Sequence, residues 1–277
     1  MRTYVLALAA AAFIHSAVPA SAQQSSDAQM ASVLENDRRA DDAARDQYRN
    51  PAETLAFFRV EPEMTVAEYA PGGGWYTRVL APYVAAEGRY VAIGGDSDTL
   101  NIDNEETAQR MRAWPQTFPA QAAQWTGLDA AQIAAHESDE VPEAMRGTVD
   151  RVLIFRSLHG LLGANRADSE LRNLREFLAD DGMVGVVQHR AKPDAPYAYS
   201  DGSKGYLREA DVVKLFELNG FELVEKSEIN ANANDPADWE DGVWTLPPTY
   251  ALDEQDRERY SAIGESDRMT LLFRKRA

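Results

Sequence analysis

Residues 64–77 read Met64-Thr-Val-Ala-Glu68-Tyr-Ala70-Pro-Gly72-Gly73-Gly74-Trp75-Tyr76-Thr77, and the fold is decided here. Residues 64–69 have the composition of a strand. Residues 77–86 place Val79, Leu80 and Tyr83 on one helical face. Between them stand one proline and three glycines. Glycine has no Cβ and tolerates positive φ, so such a turn lets backbone approach a ligand closely. Open α/β sheets bind ligands at the carboxyl ends of their strands. A tight turn with no ligand is the plainer alternative. Two phosphate-binding loops are excluded: no Gly-Lys-Ser/Thr follows, and the spacing is not Gly-x-Gly-x-x-Gly.

Outward from this turn, strand and helix patterns alternate. Asn50-Pro51-Ala52-Glu53 has the form of an N-cap, a first-turn proline and a capping-box acid, with Leu55, Phe57 and Phe58 as the inward face. Residues 88–93 read as a second strand closed by Gly94-Gly95-Asp96. Residues 97–130 carry Trp114, Phe118 and Trp125 among polar residues, which predicts short inserted helices. Further strands are expected at 132–136, 149–155, 183–188, 221–226 and 269–274. Helices are expected at 169–179 and at 207–219, the latter closed by Gly220. Asp181-Gly182 reads as a turn, and 230–262 as a long excursion. The pattern predicts an α/β, Rossmann-like, doubly wound and mostly parallel sheet with an antiparallel last strand.

Composition narrows the function. The 277 residues carry 28 Lys and Arg against 45 Asp and Glu, a net charge of −17, which argues against nucleic acid or an anionic membrane as partner. There are no cysteines, so disulfides, thiolate-bound metals and thiol nucleophiles are excluded. Arg2, an apolar run at 4–14, and Pro19 before Ala20-Ser21-Ala22 form the pattern of a secretory signal. The run is too short to span a bilayer. The expectation is a signal peptide at 1–22, export to the periplasm, a polar solvent-exposed extension at 23–47, and one domain at 48–277.

The chain resembles class I S-adenosylmethionine-dependent methyltransferases, whose first motif is an acid followed by Gly-x-Gly-x-Gly. Glu68 matches the acid, Gly72 and Gly74 match the second and third glycines, and Ala70 stands where the first would be. Asp96 lies near the family's ribose-binding acid, and Ser138-Asp139 match the region that meets adenine. Residues 150–155, 171–188 and 207–225 are similar to its later strands and helices. Residues 50–58 with 71–76 look like a group of exported bacterial methyltransferases. The resemblance implies S-adenosyl-L-methionine as cofactor, methyl transfer to a small-molecule or envelope acceptor, and a cofactor-binding set of Glu68, Ala70, Gly72, Gly74, Trp75, Asp96 and Asp139. Because the donor is made in the cytoplasm, an exported, non-catalytic binding protein keeping the same pocket is the alternative. A hydrolase or lyase on this fold is a third reading.

Trp75 and Tyr76 either wall a sulfonium pocket through cation–π contact or pack as helix-start aromatics. For a hydroxyl or ammonium acceptor a general base helps, and histidine suits neutral pH. His159 and His189 follow the 149–155 and 183–188 strands and are the candidate catalytic or acceptor-binding residues; each is alternatively a strand-end hydrogen bonder. His136 reads as structural. Asp150, His159 and His189 have no metal-site spacing, so no metal is expected. Tyr197, Tyr199 and Tyr206 form either a lid or a surface loop.

Overall fold

The computed structural model describes residues 20–99, 104–252 and 256–276. Seven strands, β1 (Thr65–Tyr69), β2 (Arg89–Gly94), β3 (Ile133–Glu137), β4 (Val149–Phe155), β5 (Leu178–His189), β6 (Phe221–Ser227) and β7 (Arg268–Lys275), form one sheet. Its order is β3-β2-β1-β4-β5-β7-β6. Strands β1 to β5 pair in parallel, and β7 lies antiparallel between β5 and β6. Eleven helices are described: α1 (Ala20–Leu34), α2 (Ala40–Ala43), α3 (Asp46–Arg49), α4 (Pro51–Phe57), α5 (Thr77–Val84), α6 (Glu105–Arg112), α7 (Trp114–Thr126), α8 (Leu158–Gly163), α9 (Ala167–Phe177), α10 (Glu209–Leu218) and α11 (Arg257–Ile263). None is long and apolar enough to cross a membrane.

Alternation along the strands divides the core, as a pleated backbone requires. Ala67, Val91, Val152, Ile154 and Val186 face α9 and α10, meeting Leu171, Leu174, Phe177 and Phe216. Val66, Tyr90, Leu153, Phe155 and Val187 face the other way, onto Leu55, Val79, Leu80 and Phe118. Chain order reverses at β1, with β2 on one side and β4 on the other. This switch point is where a doubly wound sheet opens a crevice at its carboxyl edge. The glycine turn leaves β1 there, and Arg156-Ser157 leaves β4.

Three expectations need correction. The polar extension is not an exposed tail: Met30 and Val33 of α1 join the core, and Arg39 and Arg49 are buried. Arg39 pairs with Asp46, Asp42 with Arg78, and Arg45 and Arg49 with Glu265, ion pairs that a hydropathy reading takes for solvated surface. Asn50 makes no capping hydrogen bond; it sits at φ +40° and its amide donates to Ile229 O at 2.8 Å. Asp181-Gly182 lies within β5, at an irregularity where Val149 pairs Leu178 but Arg151 already pairs Met183. The 230–262 excursion runs between β6 and β7 as expected, and its Trp239, Leu246 and Tyr260 pack with Ala191 and Tyr206 as a small core. Of the expected signal segment, residues 1–19 lie outside the described residues.

Candidate functional site

A cavity of about 390 Å³ opens at the β1–β4 switch point, floored by Glu68, Ala70 and the glycine turn and walled by Trp75, Tyr76 and Arg156. Ala70 holds φ +50°, the left-handed conformation that the first glycine of the motif would adopt. Gly72, at φ +58°, and Gly73 have open space where a Cβ would stand. Gly74 is different. A Cβ there would lie 2.3 Å from the Trp125 ring, so this glycine is required by packing.

Glu68 is buried, and its Oε2 accepts from Thr77 Oγ1 and Tyr90 Oη, each at 2.7 Å. Burial raises its carboxyl to about 7 against the opposing pull of those two hydrogen bonds and of Arg78 and Arg156. It is therefore a proton-exchanging group near neutral pH beside a cavity. Trp75 is buried under two guanidiniums, Arg49 at 4.6 Å and Arg39 at 5.2 Å from its ring centre, and Tyr76 stacks on Phe155 at 3.5 Å. Both aromatics line the cavity, and both are also packed helix-start residues. The cations over Trp75 belong to the chain itself.

The arginines are what the sequence reading missed. Arg45, Arg49, Arg78 and Arg156 all line the cavity. Arg78 forks onto Asp42 at 2.5 and 2.9 Å. Arg45 and Arg49 both reach Glu265, at 2.7 and 3.1 Å. Arg156 sits at φ +58°; burial, followed by nearby Arg268, lowers its guanidinium to about 10, so it stays charged at neutral pH. Their signal was faint: an i, i+4 arginine pair in a stretch read as exposed, and one arginine ending an apolar strand.

Asp96 and Asp139 stand apart from this cavity, beyond β2 and β3. There they converge with Glu137, their carboxylate oxygens all within 4.8 Å of one another. Asp96 Oδ1 accepts from the backbone of Asp98 and Thr99, and Glu137 accepts from Ser97 N and Oγ. Burial and the neighbouring carboxylates raise Asp139. Between the two regions Trp114 stands 2.8 Å from where a Gly94 Cβ would be, and Arg166, Glu170 and Tyr69 stand 3.0 Å from that of Gly95.

His159 and His189 are brought together, their ring centres 5.8 Å apart, with Trp244 at 6.0 Å from His159. His189 Nδ1 pairs with Ser266 Oγ at 2.6 Å. Burial holds both imidazoles below the usual value, His189 the more strongly, with Arg156 adding to the effect in each. The tautomer of His159 follows from Gln188, whose Nε2 donates to Gly205 O at 2.8 Å and lies 3.4 Å from His159 Nδ1. An amide nitrogen cannot accept, so Nδ1 must, and the ring proton sits on Nε2. In that tautomer His159 presents a donor at Nε2. His136 is half-buried in β3. Asp150 accepts from Thr65 N at the opposite sheet edge and cannot join the histidines. Tyr197 is 75% exposed, whereas Tyr206 is fully buried on Asp235, so the tyrosines form no common lid.

No family model and no curated protein matches the chain. Solved structures do. The 4+2 cyclase SpnF matches with a TM-score of 0.51 at 15% identity over 93% of this chain and 95% of its own. A SAM-dependent methyltransferase from Aquifex aeolicus matches with 0.47 at 17% identity, over 73% of this chain and 93% of its own. A 1,6-didemethyltoxoflavin-N1-methyltransferase from Burkholderia thailandensis, solved with S-adenosylhomocysteine, matches with 0.47 at 13%, over 95% and 94%. The likeness to SpnF shows the fold alone. With the reversed β7, the sheet has the class I methyltransferase arrangement.

Proposed function

We propose that the chain is an exported methyltransferase that takes its methyl group from S-adenosylmethionine and delivers it to a small-molecule or envelope acceptor. This reading rests on the glycine turn: Ala70 in a left-handed conformation, open backbone at Gly72 and Gly73, and a buried acid, Glu68, all facing one cavity at the switch point. The donor's amino-acid end fits there. Gly72 and Gly73 offer unobstructed backbone, and Glu68 a counter-charge for its ammonium. Asp96 and Asp139 are the nucleoside-side groups. When bound, S-adenosylmethionine supplies an electrophilic methyl group. The acceptor's nucleophile takes that methyl, the bonding pair stays on sulfur, and the displaced proton leaves to water. The protein's task is to position the partners, which lowers such barriers by several kcal/mol. His159 and His189 stand on the acceptor side, His159 donating from Nε2.

Export is supported by the signal-like N-terminus. Cleavage before Gln23 would keep the contacts that anchor α1, of which Ser26 Oγ to Tyr83 Oη at 2.6 Å is the first described. One observation favours the alternative, a binding protein that keeps the pocket without transfer. Trp114, Trp125 and the Arg166–Glu170 pair fill the approaches to Gly94, Gly74 and Gly95.

Calorimetric titration with S-adenosylmethionine and with S-adenosylhomocysteine tests the reading. Both should bind, and Gly72→Val, which puts a branched side chain at a positive-φ position facing the cavity, should abolish binding in a folded protein. Unchanged affinity in that variant would remove the turn from the site. Binding without turnover on envelope and metabolite extracts would select the alternative.

A further inference from the structure

We infer that the cavity over the glycine turn is an anion site, and that the acceptor brings a carboxylate or phosphate group into it. The word acceptor rests on the methyl-transfer reading; the anion site stands on the cavity's own groups. Arg45, Arg49 and Arg268 share a single carboxylate, Glu265, at 2.7, 3.1 and 3.0 Å. Arg156 has no ion pair among the described residues, and Asp42 is committed to Arg78. Four guanidiniums therefore meet one carboxylate, in a chain whose net charge is −17. Glu68 offsets at most one more. Arg49 and Arg268 are buried while Arg45 and Arg156 are half-buried, and charge buried short of a partner is strongly unfavourable, so an arrangement of this kind is completed by an anion.

The unpartnered atoms agree with the charge. Around the cavity, Arg49 Nη1 and Nη2, Trp75 Nε1 and Ser157 Oγ are buried with no hydrogen-bond partner among the described residues. All four are able to donate, and the three nitrogens can do nothing else. Arg49 is 1% exposed, anchored through Nε to Glu265 and stacked on Trp75, so its outer edge is fixed as a fork suited to a carboxylate or phosphate. Arg156 is held at positive φ, a costly conformation for a long side chain that clusters at functional sites. The methyl donor does not satisfy this need by itself. It carries one carboxylate against an ammonium and a sulfonium, so its arrival increases the positive excess.

Inorganic phosphate, titrated calorimetrically into the whole folded protein at constant ionic strength set with chloride, is the probe. Wild type should give a saturable isotherm. Arg156→Gln, which breaks no side-chain hydrogen bond among the described residues, and Arg49→Met should each weaken binding tenfold or more. Arg259→Gln, on the remote cap, should leave it unchanged. No saturable heat in wild type, or equal affinity in Arg156→Gln, overturns the anion site. Repeating the titration with saturating S-adenosylhomocysteine separates the two sources of the anion. Retained phosphate binding assigns the site to the acceptor, whereas competition assigns it to the donor's carboxylate and overturns the acceptor claim. Phosphate binding with no affinity for S-adenosylhomocysteine leaves the anion site standing and removes the methyl-transfer reading.

Discussion

Glu68 carries a buried carboxyl whose folded value, about 7, lies well above its ordinary 4.5. A raised carboxyl favours the folded state while it is protonated. Its contribution is complete below pH 4.5 and is lost as pH rises through 7, on the order of 3 kcal/mol in all. Glu68→Gln keeps an oxygen for the Thr77 and Tyr90 hydroxyls and removes the titration. Urea unfolding at pH 5 and pH 8 should show this difference shrink in the variant, which should be the more stable protein at pH 8. Parallel pH dependences would locate the titration elsewhere. Ala70 makes a second residue-scale case. Its left-handed backbone costs an L-residue about 1–2 kcal/mol, against about 0.5–1 kcal/mol of extra chain entropy for glycine. Ala70→Gly should therefore raise the unfolding free energy by about 0.5–1 kcal/mol, and a fall would mean that Ala70 is unstrained. In the proposed role of His159 as a donor to the acceptor, His159→Phe should raise the KM of the acceptor about tenfold, the worth of one hydrogen bond, with kcat little changed. A lost acidic limb in the pH–rate profile would restore the base role.

Among the elements, the 230–262 cap is organised by one side chain. Asp235 is fully buried and accepts from Tyr206 Oη, Trp239 Nε1 and the backbone of Ala237 and Asp267 at 2.8–2.9 Å. Asp235→Ala strands four donors at once and should cost about 3–5 kcal/mol. Loosening of the cap should appear as a shifted Trp239 emission; an unchanged melting temperature would show the cap is held by other contacts. Nothing in the local pattern of Asn, Asp and Pro marks Asp235 as a core acid, which is why this stretch reads as excursion. The strands were legible because period-two alternation and glycine punctuation are local signals. The ordering of α1 to α3 was not, since it depends on Arg39–Asp46 and Arg49–Glu265 pairs, the latter joining residues over two hundred positions apart. Likewise the grouping of Glu68, Ala70 and Gly72 at one cavity was readable from the turn itself. The packing of Gly74 against Trp125 and the guanidinium cluster were not, because both are made by side chains arriving from remote segments.

At the scale of the molecule, an acidic chain surrounds a basic cavity. Field lines from the surface disfavour anions at a distance, while the site itself demands one, so anion capture should be weak at low salt and gain as ionic strength screens the surface. The sheet order places the glycine turn, Arg156 and the histidines at the carboxyl edges of β1, β4 and β5, and sets Asp96 and Asp139 beyond β2 and β3. The account needs one donor molecule to bridge those two regions past Trp114 and Gly95. A crystal structure of the protein with S-adenosylhomocysteine tests this most directly. The account predicts the amino-acid end over Gly72 and Gly73 beside Glu68, with the nucleoside toward Asp96 and Asp139. The ligand lying elsewhere, or absent at saturating concentration with Trp114 and Trp125 unmoved, would contradict it.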